Sequence, residues 1–284
     1  MTVETIGALG LGDMGGAVAT ALKKSGFNVI TTLAGRSAAT VDSASDRGIK
    51  DVGGIADLVR ESDLIISVLV PANAPEVAAS IAAAAGASDT PITFADCNAI
   101  APASAIAMGK VVTDSGTHFV DGGVIGGPPR DDYAPRFYVS GPDLDAMMEL
   151  DGRGIQVVPV GPEIGRASAV KMVYASQTKG IAALQAAMLV SARRLGVYDE
   201  LISELESSQA ANLERASSAV TRLPSVAGRW IGEMEEIAST FESVGISGGF
   251  HQGAAEIFRL VDASDTESAK SLDDLVKVFA AAAT

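Results

Sequence analysis

Cysteine is nearly absent: the 284 residues include one, Cys97, beside two histidines. A disulfide framework is thereby excluded, and no CxxC or Cys/His spacing offers a metal site. Positive charge is also scarce. Lys and Arg number 21 against 35 Asp and Glu, a formal charge of −14. A polyanion would meet net repulsion, so nucleic acid is a poor partner, and a small anion could bind only through a local basic pocket. Long apolar runs are missing too. LIISVLV at 64–70 is strand-sized and far below a membrane span. The opening MTVETIGALGLG has no basic region ahead of an apolar stretch, unlike a secretory signal. These absences predict a cytoplasmic protein with no membrane partner and no metal.

What is present is a folded composition, 48% hydrophobic and 20% charged. It exceeds what disordered chains carry, and the length suits one large or two ordinary domains. The first half alternates strand-like and helix-like stretches. Strands are read at Thr5–Leu9, Phe27–Leu33, Leu64–Val70, Pro91–Asp96, His118–Asp121 and Phe137–Ser140, with helices at Gly15–Ser25 and Glu76–Ala85. Such alternation predicts a doubly wound, mostly parallel sheet with helices on both faces. From about 163 the character changes. Glu163–Leu195 has no Pro, only Gly165 and Gly180, and is rich in strong helix formers. Helical segments follow at about 198–218, 224–242, 250–261 and 267–282. The expected organisation is an α/β domain over 1–163 and an all-α domain over 164–284 that begins with a long helix. The middle of that helix is apolar nearly all round, which predicts burial on several sides and a homodimer.

Gly10-Leu11-Gly12-Asp13-Met14-Gly15 forms GxGxxG directly after the first strand and opens the first helix. The first glycine permits the tight turn, the second lets backbone approach a pyrophosphate, and the third allows close helix–strand packing. The helix N-terminus adds free N–H donors and a positive dipole. This context predicts a Rossmann-type dinucleotide site. The second strand ends Thr31-Thr32-Leu33-Ala34-Gly35-Arg36-Ser37, without the carboxylate that usually holds a 2′-hydroxyl. Arg36 and Ser37 suit a 2′-phosphate instead, so NADP(H) is expected over NAD(H). Val70 and Pro71, at the end of the 64–70 strand, are further cofactor-lining candidates.

With these residues the chain resembles the β-hydroxyacid dehydrogenases, the superfamily of 3-hydroxyisobutyrate, tartronate-semialdehyde and 6-phosphogluconate dehydrogenases. GLGDMGG at 10–16 is similar to the family's GLGxMG loop, and DCNAIAP at 96–102 sits where the family has D-x-S-T-x-x-P. DGGVIGGPP at 121–129 resembles the D-x-P-V-S-G-G substrate loop, and GPEIGRASAVK at 161–171 the G-x-x-G-x-x-x-K segment that ends in the catalytic lysine. KMVYASQTKG and RWIGEMEEIA resemble a less characterised branch with its own C-terminal domain. The departures are specific. The family's substrate-loop Ser is Ile125, its Ser-Thr pair is Asn98-Ala99, and its Asn four residues after the lysine is Ala175. Near 235, a frequent Lys-Asp pair is replaced by Glu235-Glu236. The resemblance implies the reaction type more strongly than the substrate contacts.

The implied chemistry is hydride transfer, for which the protein must manage one proton. Lys171 is the candidate general acid/base. Tyr174, Ala175 and Thr178 share its helical face, so Tyr174 is a second catalytic candidate and Thr178 a substrate contact. Asn98, after a strand's C-terminal end, is a candidate for the nicotinamide side. The glycine loop of Gly122, Gly123, Ile125, Gly126 and Gly127 offers backbone N–H groups to a substrate anion, and Arg136 or Arg130 could clamp it. His251, at a helix start in the second domain, is a further substrate candidate, whereas His118 reads as structural. Trp230 reads as core, and Glu233, Glu235 and Glu236 as a solvated face. The expected function is an NADP(H)-dependent oxidoreductase of a small β-hydroxy acid. An imine or other carbonyl reductase, and a non-catalytic NADPH-binding protein, are the alternatives.

Overall fold

The computed structural model describes residues 2–87 and 92–283. They form two compact units, Met1–Met172 and Val173–Thr284. The first holds β1 (Thr5–Leu9), α1 (Asp13–Lys24), β2 (Asn28–Thr31), α2 (Ala38–Asp46), β3 (Lys50–Asp51), α3 (Ile55–Glu61), β4 (Leu64–Ser67), α4 (Ala74–Gly86), β5 (Thr93–Asp96), α5 (Pro102–Thr113), β6 (His118–Ile125), β7 (Arg136–Ser140), α6 (Asp145–Met148) and β8 (Gln156–Pro159). Pro91, which the sequence reading attached to the fifth strand, lies outside the described residues.

Among the described residues, eight strands make one sheet in the order β3-β2-β1-β4-β5-β6-β7-β8. Every pairing is parallel except β6–β7, which is antiparallel. The order reverses between β1 and β4, so the crevice for a ligand opens at their carboxyl ends. The central strands are apolar on both faces because helices cover both. One face packs Ile6, Leu64, Ile66 and Val120 with Val18 and Leu22 of α1; the other packs Leu9, Ile65, Phe94 and Phe119 with Leu58, Ile81 and Val112 of α3, α4 and α5. The doubly wound sheet expected from the alternation is present. β3 and β8 were not foreseen: at two and four residues they are too short or too polar to show a periodicity of their own.

The long helix is α7, Arg166–Leu195, and the two units divide within it, between Met172 and Val173. The sequence reading draws its boundary at 163/164, where composition changes. The first turns of α7 belong instead to the unit of the sheet. The second unit continues with α8 (Tyr198–Ser208), α9 (Ala210–Arg222), α10 (Ala227–Ser243), α11 (Gly249–Asp262) and α12 (Leu272–Ala282). The helix expected over 198–218 is two helices, broken at Gln209, whose φ −145 and ψ 41 are not helical. No described helix is long and apolar enough to cross a membrane.

Candidate functional site

The three glycines of the first loop differ in their surroundings. Gly10 has φ +89, and a Cβ there would lie 2.1 Å from the Val68 carbonyl oxygen. A Cβ on Gly15 would lie 1.9 Å from the Gly10 oxygen, so α1 rests directly on the end of β1. A Cβ on Gly12 would meet nothing within 4 Å. Gly12 is the N-cap of α1 and no side chain caps that end. Backbone donors therefore face open space at a helix N-terminus, the arrangement a pyrophosphate requires. Leu11 is buried beneath the loop, Met14 packs on the core, and Asp13 is exposed in the first helical turn. The residues fit a dinucleotide.

A brace not foreseen from sequence holds this loop. Ser43 Oγ on α2 donates to the Leu11 carbonyl at 2.6 Å, and Arg47 Nη1 donates to Ser43 Oγ at 2.6 Å. The i, i+4 spacing of Ser43 and Arg47 was visible, but nothing local showed that α2 faces the glycine loop. Beyond β2 the chain turns at Gly35, φ +71, and Arg36 N donates to Leu33 O at 3.0 Å. Ser37 caps α2, accepting from Thr40 N at 3.3 Å. Arg36 is half-buried and Ser37 exposed. Asp51, at the end of β3, accepts from Leu33 N and Gly53 N, at 3.1 and 2.9 Å, and thereby fixes the turn that presents Arg36.

Past β4, Val70 is exposed and Pro71 starts a short 3-10 turn. Asn98 was expected near the nicotinamide. Its side chain is buried instead, and its amide donates to Asp96 Oδ2 at 2.6 Å and Ser67 Oγ at 3.0 Å. Its Oδ1 accepts from Leu69 N. With both amide hydrogens used, Asn98 braces the loop after β4 rather than offering donors to a ligand. Burial, and the neighbouring Asp121 charge, raise the Asp96 carboxyl to about 7 against the hydrogen bonds from Asn98. Cys97 is buried, its thiol pushed up by burial, and it packs against Gly122, where a Cβ would lie 2.5 Å from Sγ. It is a packing residue, as expected.

Lys171 lies against the end of β6. Its Nζ donates to the Val124 carbonyl at 2.7 Å. Gly123 makes this approach possible: a Cβ there would lie 2.7 Å from Ala167 O and 2.8 Å from Lys171 Cβ. Ile125 is buried, and the chain leaves the strand at Gly126, φ +123, against which the Tyr133 hydroxyl packs. Gly127 is open and exposed. Arg136, exposed, pairs with Ile125 across the antiparallel β6–β7 register, which sets its backbone at this same end of the sheet. The first unit thus brings the 123–127 loop, Lys171 and Arg136 to one rim. His118 lies at the opposite end of β6, with Nδ1 3.5 Å from Asp143.

The remaining candidates belong to the second unit. Tyr174 is 47% exposed, and Thr178 Oγ1 donates back to Ala175 O at 3.3 Å. His251 is buried between Phe241 and Phe250, ring centroids 4.5 and 5.3 Å away. Its Nδ1 has no partner, and burial lowers its pKa. Of the acidic face expected at 233–236, Glu235 is exposed, as expected, whereas Glu233 is not. Glu233 forms a buried ion pair with Lys179, and Glu235 pairs with Arg259. Trp230 packs edge-on against Phe258 at 5.5 Å and is half-buried rather than core. No cluster of metal ligands occurs among the described residues.

Residues 5–148 match the family model described as the NAD binding domain of 6-phosphogluconate dehydrogenase, and residues 192–261 that of a domain of unknown function. A conserved protein of unknown function, solved and described as structurally similar to 3-hydroxyacid dehydrogenases, is 27% identical with a TM-score of 0.67, over 90% of this chain and 96% of that one. A 3-hydroxyisobutyrate dehydrogenase from Mycobacterium tuberculosis, solved with L-serine, shares the fold at 17% identity and TM-score 0.71, over 98% and 99% of the two chains. An imine reductase from Streptomyces aurantiacus shares it at 18% identity and TM-score 0.56, over 96% and 99%.

Proposed function

Because the chain belongs to the family of the NAD binding domain of 6-phosphogluconate dehydrogenase, we propose that it is an NADP(H)-dependent oxidoreductase of a small β-hydroxy acid and its oxo form. The observation that carries this reading is the Lys171 amine, held 2.7 Å from Val124 O at the end of β6. A bound nicotinamide would take the hydride in oxidation and return it in reduction. Lys171 takes the hydroxyl proton in oxidation and returns it in reduction. Arg136 offers a cation for the substrate's acid group, and the backbone of Gly126 and Gly127 offers N–H donors. Tyr174 is a second hydroxyl donor, and Thr178 and His251 are substrate-side candidates of the helical unit. Arg36 and Ser37 hold the 2′-phosphate: the turn that carries them has no carboxylate of its own.

The working state is a homodimer, supported by the exposed apolar residues of α7, among them Ile181, Leu184 and Leu195. A monomeric mass in light scattering would overturn that. The single buried thiol suits a reducing, cytoplasmic setting. A second reading, reduction of imines or other carbonyls, is favoured by Ile125 and Ala175, both buried and apolar where the resembling dehydrogenases carry Ser and Asn.

The test is NADPH turnover on a panel of β-hydroxy acids, their oxo acids and cyclic imines, with Lys171→Ala as control. Turnover of acids that falls about 10²–10⁴-fold in the variant, with cofactor binding kept, supports the first reading. Turnover confined to imines selects the second. Nucleotide binding without turnover on any member would leave a binding protein.

A further inference from the structure

A row of buried polar side chains crosses the sheet at one level. In the strand register Ser67 pairs with Asp96, Asp96 with Asp121, and Asp121 with Ser140. All four are at most 1% exposed. Side-by-side residues in a sheet project from the same face. The row therefore runs under the rim from β4, at the ligand crevice, to β7, beside α7. Polar groups in such a place need partners.

Asp121 has the most. Its Oδ2 accepts from Ser140 Oγ at 2.9 Å, Gly165 N at 2.9 Å and Ser168 N at 3.1 Å, and its Oδ1 accepts from Ser168 Oγ at 2.5 Å. Ser140 Oγ in turn accepts from Ala167 N at 3.0 Å. The otherwise unpaired N–H groups at the start of α7 are thus taken up by a carboxylate from β6, with the helix dipole aligned to favour it. Lys171 is three residues beyond Ser168, on the same helical face. Along β6, Asp121 grips Gly165 and Ser168, Gly123 admits Ala167 and the Lys171 stem, and Val124 receives the Lys171 amine. Three neighbouring points on one strand therefore set the helix, and through it a side chain whose own four-carbon stem fixes nothing. At the row's other end Asn98 links Ser67 and Asp96 to Leu69 N, in the loop after β4.

We propose that this row is a positioning device for Lys171, with Asp121 as the positioning residue that locks the start of α7 to β6. The proposal rests on the oxidoreductase reading only for what Lys171 does, not for where it is held. Its test is therefore independent of turnover. The full chain is labelled with trace acetic anhydride across a pH series, and the modification of each lysine is read by mass spectrometry. Asp121→Asn weakens a charge-assisted cap, and Lys171 labelling is expected to rise about tenfold. Ser168→Ala removes one hydrogen bond, for about a threefold rise. Ser168→Thr keeps the hydroxyl and stays at the parent rate. Exposed Lys24 and Lys110 should not change in any variant. If Asp121→Asn folds and lowers the melting temperature but leaves the rate and pH midpoint of Lys171 labelling unchanged, Asp121 is a structural cap alone and the proposal is overturned. If Asp121→Asn does not fold, unchanged Lys171 labelling in folded Ser168→Ala overturns it equally. Failure of turnover across the substrate panel, with labelling as expected, would refute the oxidoreductase reading and leave the positioning intact.

Discussion

The two units satisfy their buried polar groups by different means. In the sheet unit, buried side chains mostly bond to backbone or to neighbours in register. Asp121 caps a helix, Asn98 ties a loop, and Thr31 Oγ1 donates to Ala8 O at 2.7 Å. In the helical unit, buried and half-buried charges pair with each other over long sequence separations. Lys179 pairs with Glu233, and Arg193 pairs with Asp273 while stacking on Tyr198 at 3.8 Å. Among the described residues, two buried nitrogens there, Arg193 Nε and His251 Nδ1, have no partner, against Ser62 Oγ in the sheet unit. Periodic backbone builds the first kind of site, and its positions follow from strand ends and turns. The second kind depends on which helices meet.

That contrast sets the order of the expected effects. The largest belongs to Glu233→Ala, which strands the buried Lys179 and should destabilise the helical unit by about 3–5 kcal/mol in chemical denaturation. A loss below about 1 kcal/mol would show that the pair behaves as an exposed one and would erase the distinction. Next comes Gly123→Ala. The added methyl has no room beside Ala167 O and Lys171 Cβ. An overpacking cost of about 1–3 kcal/mol should fall on the sheet unit, with faster Lys171 labelling. An unchanged labelling rate would mean that α7 does not depend on this contact.

The pH response should separate the units by sign. Asp96 is raised from 3.8 to about 7, so the folded state keeps a proton that the unfolded state has lost. The stability that Asp96 contributes to the sheet unit is then fully present below 3.8 and is lost as pH rises toward 7, at up to about 1.4 kcal/mol per pH unit. Asp96→Asn should flatten that decline. His251 is depressed below 6.5 by burial, so its contribution is present above 6.5 and lost as pH falls. His251→Gln should flatten the acid side instead. Melting curves from pH 4 to 8 for both variants check this, and a shared sign would contradict the assignment. The smallest effect is that of Ser37→Ala, which removes the α2 cap and should cost about 1 kcal/mol. An NADPH affinity that drops while NADH affinity holds would add a phosphate contact to the capping role.

How much was legible in the sequence divides along the same line. β1, the glycine loop and the opening of α1 could be read because each glycine answers a local demand of φ or closeness. The Lys171 helix could be read from its composition. The Asp121 row could not, because it joins 67, 96, 121 and 140 through sheet register and reaches 168 on α7 by hydrogen bonds, which no local pattern encodes. Asn98 reads as a ligand contact in sequence because Asn at a strand end is ambiguous until its partners are seen. Glu233 was read as solvated because Lys179 is 54 residues away. The break at Gln209 was missed because the flanking residues are all acceptable in a helix.

Everything proposed for the site depends on a dinucleotide at the glycine loop with its 2′-phosphate on Arg36. Fluorescence titration of the purified protein and of Arg36→Ala with NADPH and with NADH tests it most directly. NADPH is expected to bind more tightly than NADH and to weaken about tenfold or more in the variant, with little change for NADH. Equal binding of both nucleotides by the parent protein would contradict the phosphate assignment, and binding of neither would contradict the site itself.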